Sequence, residues 1–438
     1  GLRQDLVQLL ADMKPGFLRF PGGCIVEGRD LASRYQWKKT VGDVNKREVL
    51  INRWNTEFSH RPAPDYFQSF GLGFFEYFQL AEDIGAEPLP ILSCGMACQF
   101  NTAEVVPMDQ LDPYVQDALD LIEFANGSVD SPWGKIRKEM GHPAPFNLKL
   151  IGVGNEQWGP QYIERYKVFV QAIKSKYPNI TIVSGTGPFP EGELFDYAAK
   201  ELKALNAEIV DEHYYAKPEW FLQHATRYDN YDRSGPKIFA GEYAAQSVAI
   251  ASPDNKNNWH CALAEAAFMT GLERNADVVN MCSYAPLFAH AEGWQWTPDL
   301  IWFDNLRAYA TPNYYVQKLY GIHKGTHVLN TTSGGKTLTG DNGLYVSSVW
   351  DKNTKEIIVK LVNASDKAQQ TTVQLSGAKK PLPQARVTIL KNDDLTSVNS
   401  LDTPSFISPY EKPLTLKGKT LNTELAPYSF SVIRIKTN

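Results

Sequence analysis

The sequence predicts an α/β fold: a (β/α)8 TIM barrel whose first strand is missing from this chain, followed by an all-β antiparallel sandwich. Three observations predict it. Short aliphatic runs alternate with amphipathic stretches over the first three quarters of the chain. Polar, catalytic-type side chains end nearly every run. Beyond residue 324 the helical pattern gives way to closely spaced β-rich runs.

The apolar runs occupy 17–21 (FLRFP), 88–92 (PLPIL), 148–154 (LKLIGVG), 180–184 (ITIVS), 208–214 (EIVDEHY), 237–241 (KIFAG) and 278–284 (VVNMCSY). Continuous aliphatic and β-branched runs closed by Gly, Pro or polar residues are how strands buried on both faces of a parallel sheet read. Between them, 161–177 places Tyr162, Tyr166, Phe169, Val170 and Ile173 at spacings of three and four, one face of a helix. Stretches 70–84 and 258–274 behave alike, and Gly85 supplies a C-terminal stop. Strand–helix repeats fit a doubly wound sheet or a barrel. Polar residues at nearly every strand end, and the lack of a Gly-rich phosphate loop, favour the barrel.

Only seven strands are legible, and the chain opens on a helix over 2–12. A closed barrel needs eight. The first strand is therefore expected in an N-terminal fragment or separate chain that completes the barrel. After a Thr- and Gly-rich connection at 330–342, β-rich runs at 344–350, 356–362, 371–375, 385–390 and 429–435 follow without an intervening helix, the pattern of a sandwich. The expected domains are 1–323 and 324–438.

A formal charge of −5 over 438 residues, with no basic stripe, argues against a nucleic-acid or anionic-membrane partner. No stretch approaches the roughly 20 apolar residues of a membrane span. The N-terminal segment carries no signal-peptide pattern. The five cysteines form no disulfide framework, and no His or second Cys pair joins Cys94 and Cys98 at zinc-ligand spacing. Buried free thiols and no metal are expected.

The most informative segment is 148–159, LKLIGVGNEQWG, in which an apolar strand delivers Asn155, Glu156 and Trp158. Barrels of this kind build active sites at the C-terminal ends of their strands. An apolar wall such as Trp158 raises a carboxyl pKa, as a general acid near neutrality requires. The competing reading makes Glu156 a cap for the helix starting near Pro160. In 237–246, KIFAGEYAAQ, a second strand delivers Glu242, three strands further on. Strands three apart in an eight-stranded barrel face one another across its mouth. Two carboxyl groups about 5–5.5 Å apart define a retaining glycosidase.

Together FLRFPGGCIVEG (17–28), GNEQWG (154–159), His213-Tyr214-Tyr215 and Gly241-Glu242-Tyr243 resemble family 51 of the glycoside hydrolases, the α-L-arabinofuranosidases. The resemblance runs from GLRQDL to LAPYSFSVIRI. It implies Glu156 as general acid/base on strand four and Glu242 as nucleophile on strand seven. It implies Asn155 on the sugar 2-hydroxyl and Cys24, where many bacterial members carry Asn, lining the pocket. Tyr215, in preference to Tyr214, matches a tyrosine that hydrogen-bonds the nucleophile, and His213 a histidine that tunes the acid/base. Trp296 and Asp299, in the loop 293–304, match sugar contacts. Arg19 and Glu27 are expected as a supporting pair.

The implied activity is exo-acting removal of terminal arabinofuranosyl groups from arabinan or arabinoxylan, without cofactor, by a secreted or periplasmic enzyme. A β-glucanase or xylanase of the same clan, or a non-catalytic carbohydrate-binding barrel, is the alternative.

Overall fold

The structure, a computed structural model, describes residues 1–56, 67–378 and 380–437. Seven strands form one sheet in chain order: β1 (Phe17–Phe20), β2 (Glu87–Leu92), β3 (Leu150–Val153), β4 (Thr181–Gly185), β5 (Ile209–Ala216), β6 (Lys237–Ala245) and β7 (Val279–Tyr284). The ladders from β1 through β5 are parallel, with Phe17 opposite Glu87, Ile91 opposite Gly152, Leu150 opposite Thr181 and Val183 opposite Ile209. Each strand lies beside its predecessor. That is the winding of a barrel, without the order reversal of a doubly wound sheet.

The expected helices fill the connections: α1 (Gln4–Asp12) precedes β1, and α2 (Phe74–Asp83) joins β1 to β2. Next come α3 (Asp112–Asn126), α4 (Pro132–Glu139), α5 (Pro160–Lys176), α6 (Glu193–Ala204), α7 (Pro218–Gln223), α8 (Trp259–Arg274) and α9 (Pro312–Ile322). No helix among the described residues is long and apolar enough to cross a membrane.

The chain folds as two compact units. One comprises Lys14–Tyr214 and Ser234–Gly241, the other Gly1–Met13, Tyr215–Arg233 and Glu242–Asn438. In the first, Phe20 of β1 packs edge-on against Phe74 and Phe78 of α2, rings 5.2 and 5.4 Å apart. Such pairs add to the large apolar area that aromatic residues bury.

In the second unit a six-stranded sheet runs in the order His327–Val328, Leu344–Asp351, Glu356–Asn363, Ser429–Thr437, Pro381–Lys391, Tyr410–Thr415. Gln369–Gln374 pairs with Thr420–Leu425 as a second, two-stranded sheet. Val359, Leu361, Ile433 and Ile435 from the large sheet share one core with Leu421 and Leu425 from the small one, which makes the sandwich. Three of these strands escape the sequence reading. Tyr410–Thr415 is an edge strand carrying Pro413 and two charges, the composition that protects an edge and hides its periodicity. A small sheet of Phe288–His290, Ile301–Phe303 and Ala308–Ala310 also occupies part of the stretch read as loop.

The alternate residues of Glu356–Asn363 turn to the helices. Lys360 donates to Glu273 at the end of α8, and its Nζ also reaches His323 O at 2.8 Å. Phe430 stacks on Tyr320 of α9 at 5.3 Å. Just past α9, His323 accepts from Arg434 Nη1 at 3.0 Å. Burial, then the Arg434 and Lys360 charges, push the imidazole down to about 4. His323 is thus neutral when folded but gains a proton near pH 6.5 when unfolded. The stability linked to this depressed pKa is present above pH 6.5 and lost as pH falls to 4, about 3 kcal/mol in all. His323→Gln, which keeps an acceptor for Arg434, is expected to flatten the fall in Tm between pH 6.5 and 4. Parallel Tm–pH curves for the two proteins would count against it.

Candidate active site

At the end of β3 the chain bends through Gly154, whose φ of +76° favours glycine. A Cβ there would also lie 2.7 Å from Gln157 Oε1 and 2.8 Å from the Tyr162 ring. The bend delivers Asn155 and Glu156. Helix α5 then starts at Pro160 with Gly159 as N-cap and no side-chain cap bond, so Glu156 is not the capping residue.

The first unit surrounds Glu156 with polar partners, and the carboxylate is buried. Its Oε1 lies 2.8 Å from His213 Nδ1, and its Oε2 accepts from Cys24 Sγ at 3.3 Å. Glu27 Oε1 accepts both the Glu156 backbone N–H and Asn155 Nδ2, each at 2.9 Å. Arg19 Nη2 donates to Asn155 Oδ1 at 2.8 Å and lies 3.4 Å from Asp211 Oδ2. His213 Nε2 approaches the same Asp211 oxygen at 3.3 Å. Asp211 and His213 are two apart on β5 and so project to one side. Sequence reasoning placed Cys24, Asn155, Glu156 and His213 here. It read Glu27 only as a partner for Arg19 and missed its grip on the Asn-Glu pair. The one signal was its position three residues after Cys24.

Burial pushes the Glu27 carboxyl well above the usual carboxylate range, and the neighbouring Cys98 and Glu156 charges add to this. Cys98 meets Cys24 and Arg53, whose Nη2 donates to Cys98 Sγ at 3.1 Å. The Cys24 hydrogen bond and the guanidinium draw Cys98 toward the thiolate, while Cys24 is held as the thiol. All five cysteines are free.

The second unit holds the other carboxylate. Tyr215 Oη donates to Glu242 Oε2 at 2.8 Å, and the Trp296 ring meets Tyr215 edge-on at 5.4 Å. Both rings are half-buried, as a contact surface for a small ligand requires. Tyr214, the alternative, projects to the other face of β5, where its hydroxyl binds Glu212.

Residues 9–233 match the family described as alpha-L-arabinofuranosidase 1 domain, and 241–429 the alpha-L-arabinofuranosidase C-terminal domain. The arabinose-bound structure of the MgGH51 α-L-arabinofuranosidase is 32% identical, with a TM-score of 0.88 over 100% of this chain and 67% of that one. The chain belongs to the GH51 α-L-arabinofuranosidase family. An extracellular exo-α-L-arabinofuranosidase of Streptomyces chartreusis is 46% identical over 86% of this chain and 45% of its own. Alpha-L-arabinofuranosidase 2 of Arabidopsis thaliana is 37% identical over 100% of this chain and 61% of its own. The chain thus spans about half to two thirds of the length of these curated relatives.

In this GH51 chain the glycine before Glu242 has a packing reason. A Cβ on Gly241 would fall 1.9 Å from Asp211 Oδ1. Under the end of β6, Glu265 Oε1 accepts from Ala245 N and Oε2 from Asn313 Nδ2, each at 2.9 Å, and burial raises its carboxyl to about 8. Trp158, beside Glu156, sits 5.0 Å from Phe100 and 5.5 Å from Phe189, with its backbone N–H and carbonyl both held by the Gln99 amide. Asp299 is buried; its backbone N–H donates to Asn257, and desolvation pushes its carboxyl well up.

Proposed function

We propose that the protein is a retaining, exo-acting α-L-arabinofuranosidase with Glu156 as acid/base and Glu242 as nucleophile. The supporting observation is that Glu156 follows the end of β3, Glu242 lies in the C-terminal half of β6, and each is held by a polar side chain at 2.8 Å, His213 for Glu156 and Tyr215 for Glu242. The carboxylate of Glu242 attacks the anomeric carbon as Glu156 protonates the departing glycosidic oxygen. Water then attacks the glycosyl ester, giving its proton to Glu156, and the ester bond to Glu242 breaks.

Asn155, fixed by Arg19 and Glu27, is oriented to bind the 2-hydroxyl. Cys24, beside Glu156, and Tyr215, on Glu242, are assigned to sugar contacts. Trp158, Tyr214, Trp296 and Asp299 are assigned to substrate binding. The two carboxylates supply both catalytic roles, so the reaction uses no metal or organic cofactor. The substrates are terminal arabinofuranosyl groups of arabinan or arabinoxylan, and the name of the Streptomyces relative supports action outside the cell.

The test follows an aryl α-L-arabinofuranoside by NMR with the full-length protein. Expected is first-formed sugar of the α configuration, with the matching aryl glucoside and xyloside cleaved far more slowly. A β product, or preference for either pyranoside, would overturn the reading.

A further inference from the structure

We propose that Cys24, Glu27 and Cys98 form a binding site for a thiophilic divalent cation of the zinc–cadmium class, and that filling it silences Glu156. The two sulfurs and a Glu27 carboxylate oxygen all lie within 4.8 Å of one another, and all three residues are buried. Sulfurs sharing a tetrahedral zinc sit about 3.8 Å apart, so closure asks for side-chain shifts on the order of 1 Å.

The backbone already holds the donors together. Glu27 N and Gly28 N both donate to Cys24 O, at 3.1 and 3.0 Å, a single turn that puts residues 24 and 27 on one side. Cys98 N donates to Gly28 O at 3.0 Å, tying the loop after β2 to that turn. The Arg53 guanidinium, 3.1 Å from Cys98 Sγ, offsets part of the negative charge that two thiolates and a carboxylate bring to the ion. Soft thiolate donors select zinc or cadmium over magnesium or calcium.

The consequence rests on the role proposed for Glu156. The ligand atoms come from the two residues that brace it, Cys24 at Oε2 and Glu27 at the backbone N–H. Ligation sends the Cys24 thiol proton to solvent, ending the hydrogen bond Glu156 accepts. With that bond gone and Glu27 drawn to the ion, both of these contacts that orient Glu156 are withdrawn.

Cadmium titration of the full-length protein, read by ultraviolet thiolate-to-metal absorption and by turnover, tests both halves. Expected are one equivalent bound, at least a tenfold loss of turnover, and recovery on adding a chelator. Cys98→Ser should keep its metal-free turnover while losing the band and at least tenfold in affinity, and Cys282→Ser should behave as wild type. A cadmium NMR resonance of mixed sulfur–oxygen ligation keeps the test independent of how the variant folds. No band in the wild type, or one that survives Cys98→Ser, would overturn the site. Cadmium bound through Cys98 with turnover intact would overturn the coupling, provided Glu156→Ala is inactive. If Glu156→Ala is itself fully active, the role of Glu156 fails instead.

Discussion

Glu242→Ala is expected to lower turnover of an aryl α-L-arabinofuranoside by about 10⁴-fold or more, roughly 5 kcal/mol of transition-state stabilisation. Removing the side chain deletes the nucleophile and leaves a cavity that a small anion can enter. Added azide should therefore restore slow turnover and give the β-configured glycosyl azide, the product of one displacement. Glu156→Ala is expected to behave differently. Substrates with acidic phenol leaving groups need little proton assistance, so their first step should survive while natural glycosides lose activity steeply. Azide should then intercept the intermediate on Glu242 and give the α-configured azide. The opposite pairing of azide products would exchange the two roles, and full activity in either variant would remove that residue from the mechanism. The hydrogen bond from Tyr215 to Glu242 gives a graded check. Tyr215→Phe should slow turnover by a smaller factor and leave the stereochemistry unchanged.

The largest stability effect is expected from Lys360→Met. The Lys360 side chain is 0% exposed, and it spans the large sheet and the helices behind it within one compact unit. Its ammonium meets Glu273 and the His323 carbonyl, and it lies 5.2 Å from the Tyr320 ring. Burial lowers its pKa, and Glu273 opposes that shift. Removing one partner of a buried pair strands the other charge, at a cost of about 3–5 kcal/mol. For a protein of this size that corresponds to a fall in Tm of about 3–6 °C. Adding Glu273→Gln should recover much of the loss, because most of the penalty is the stranded carboxylate. Calorimetry of the three variants measures the effect, and an unchanged Tm in Lys360→Met would refute it.

The strand–helix alternation was legible because parallel strands buried on both faces write continuous apolar runs into the chain, although β6 runs on to Ala245 and so contains Glu242 instead of ending before it. The choice between Tyr214 and Tyr215 was half legible. Alternation along a strand separates the two residues, but it does not say which face meets a carboxylate. Glu27 was not legible as a brace for Asn155 and Glu156, nor Cys98 as a neighbour of Cys24. Both contacts join residues remote in the chain, and nothing in local periodicity encodes them. The edge strand Tyr410–Thr415 escaped for a different reason: its charges and proline, which keep an exposed edge from pairing, erase the alternation that marks a strand.

Linear order alone was enough for the barrel-then-sandwich plan and for marking Glu156 and Glu242 as candidates. Backbone hydrogen bonding and side-chain burial impose short-range periods, 2 and 3.6 residues, and those survive in one dimension. The environment of each carboxylate came from the third dimension: His213, Cys24 and Glu27 around Glu156, and Tyr215 on Glu242. Burial and hydrogen bonds to groups far along the chain set the protonation and orientation of a side chain. Those partners meet only when the strands that carry them are laid side by side.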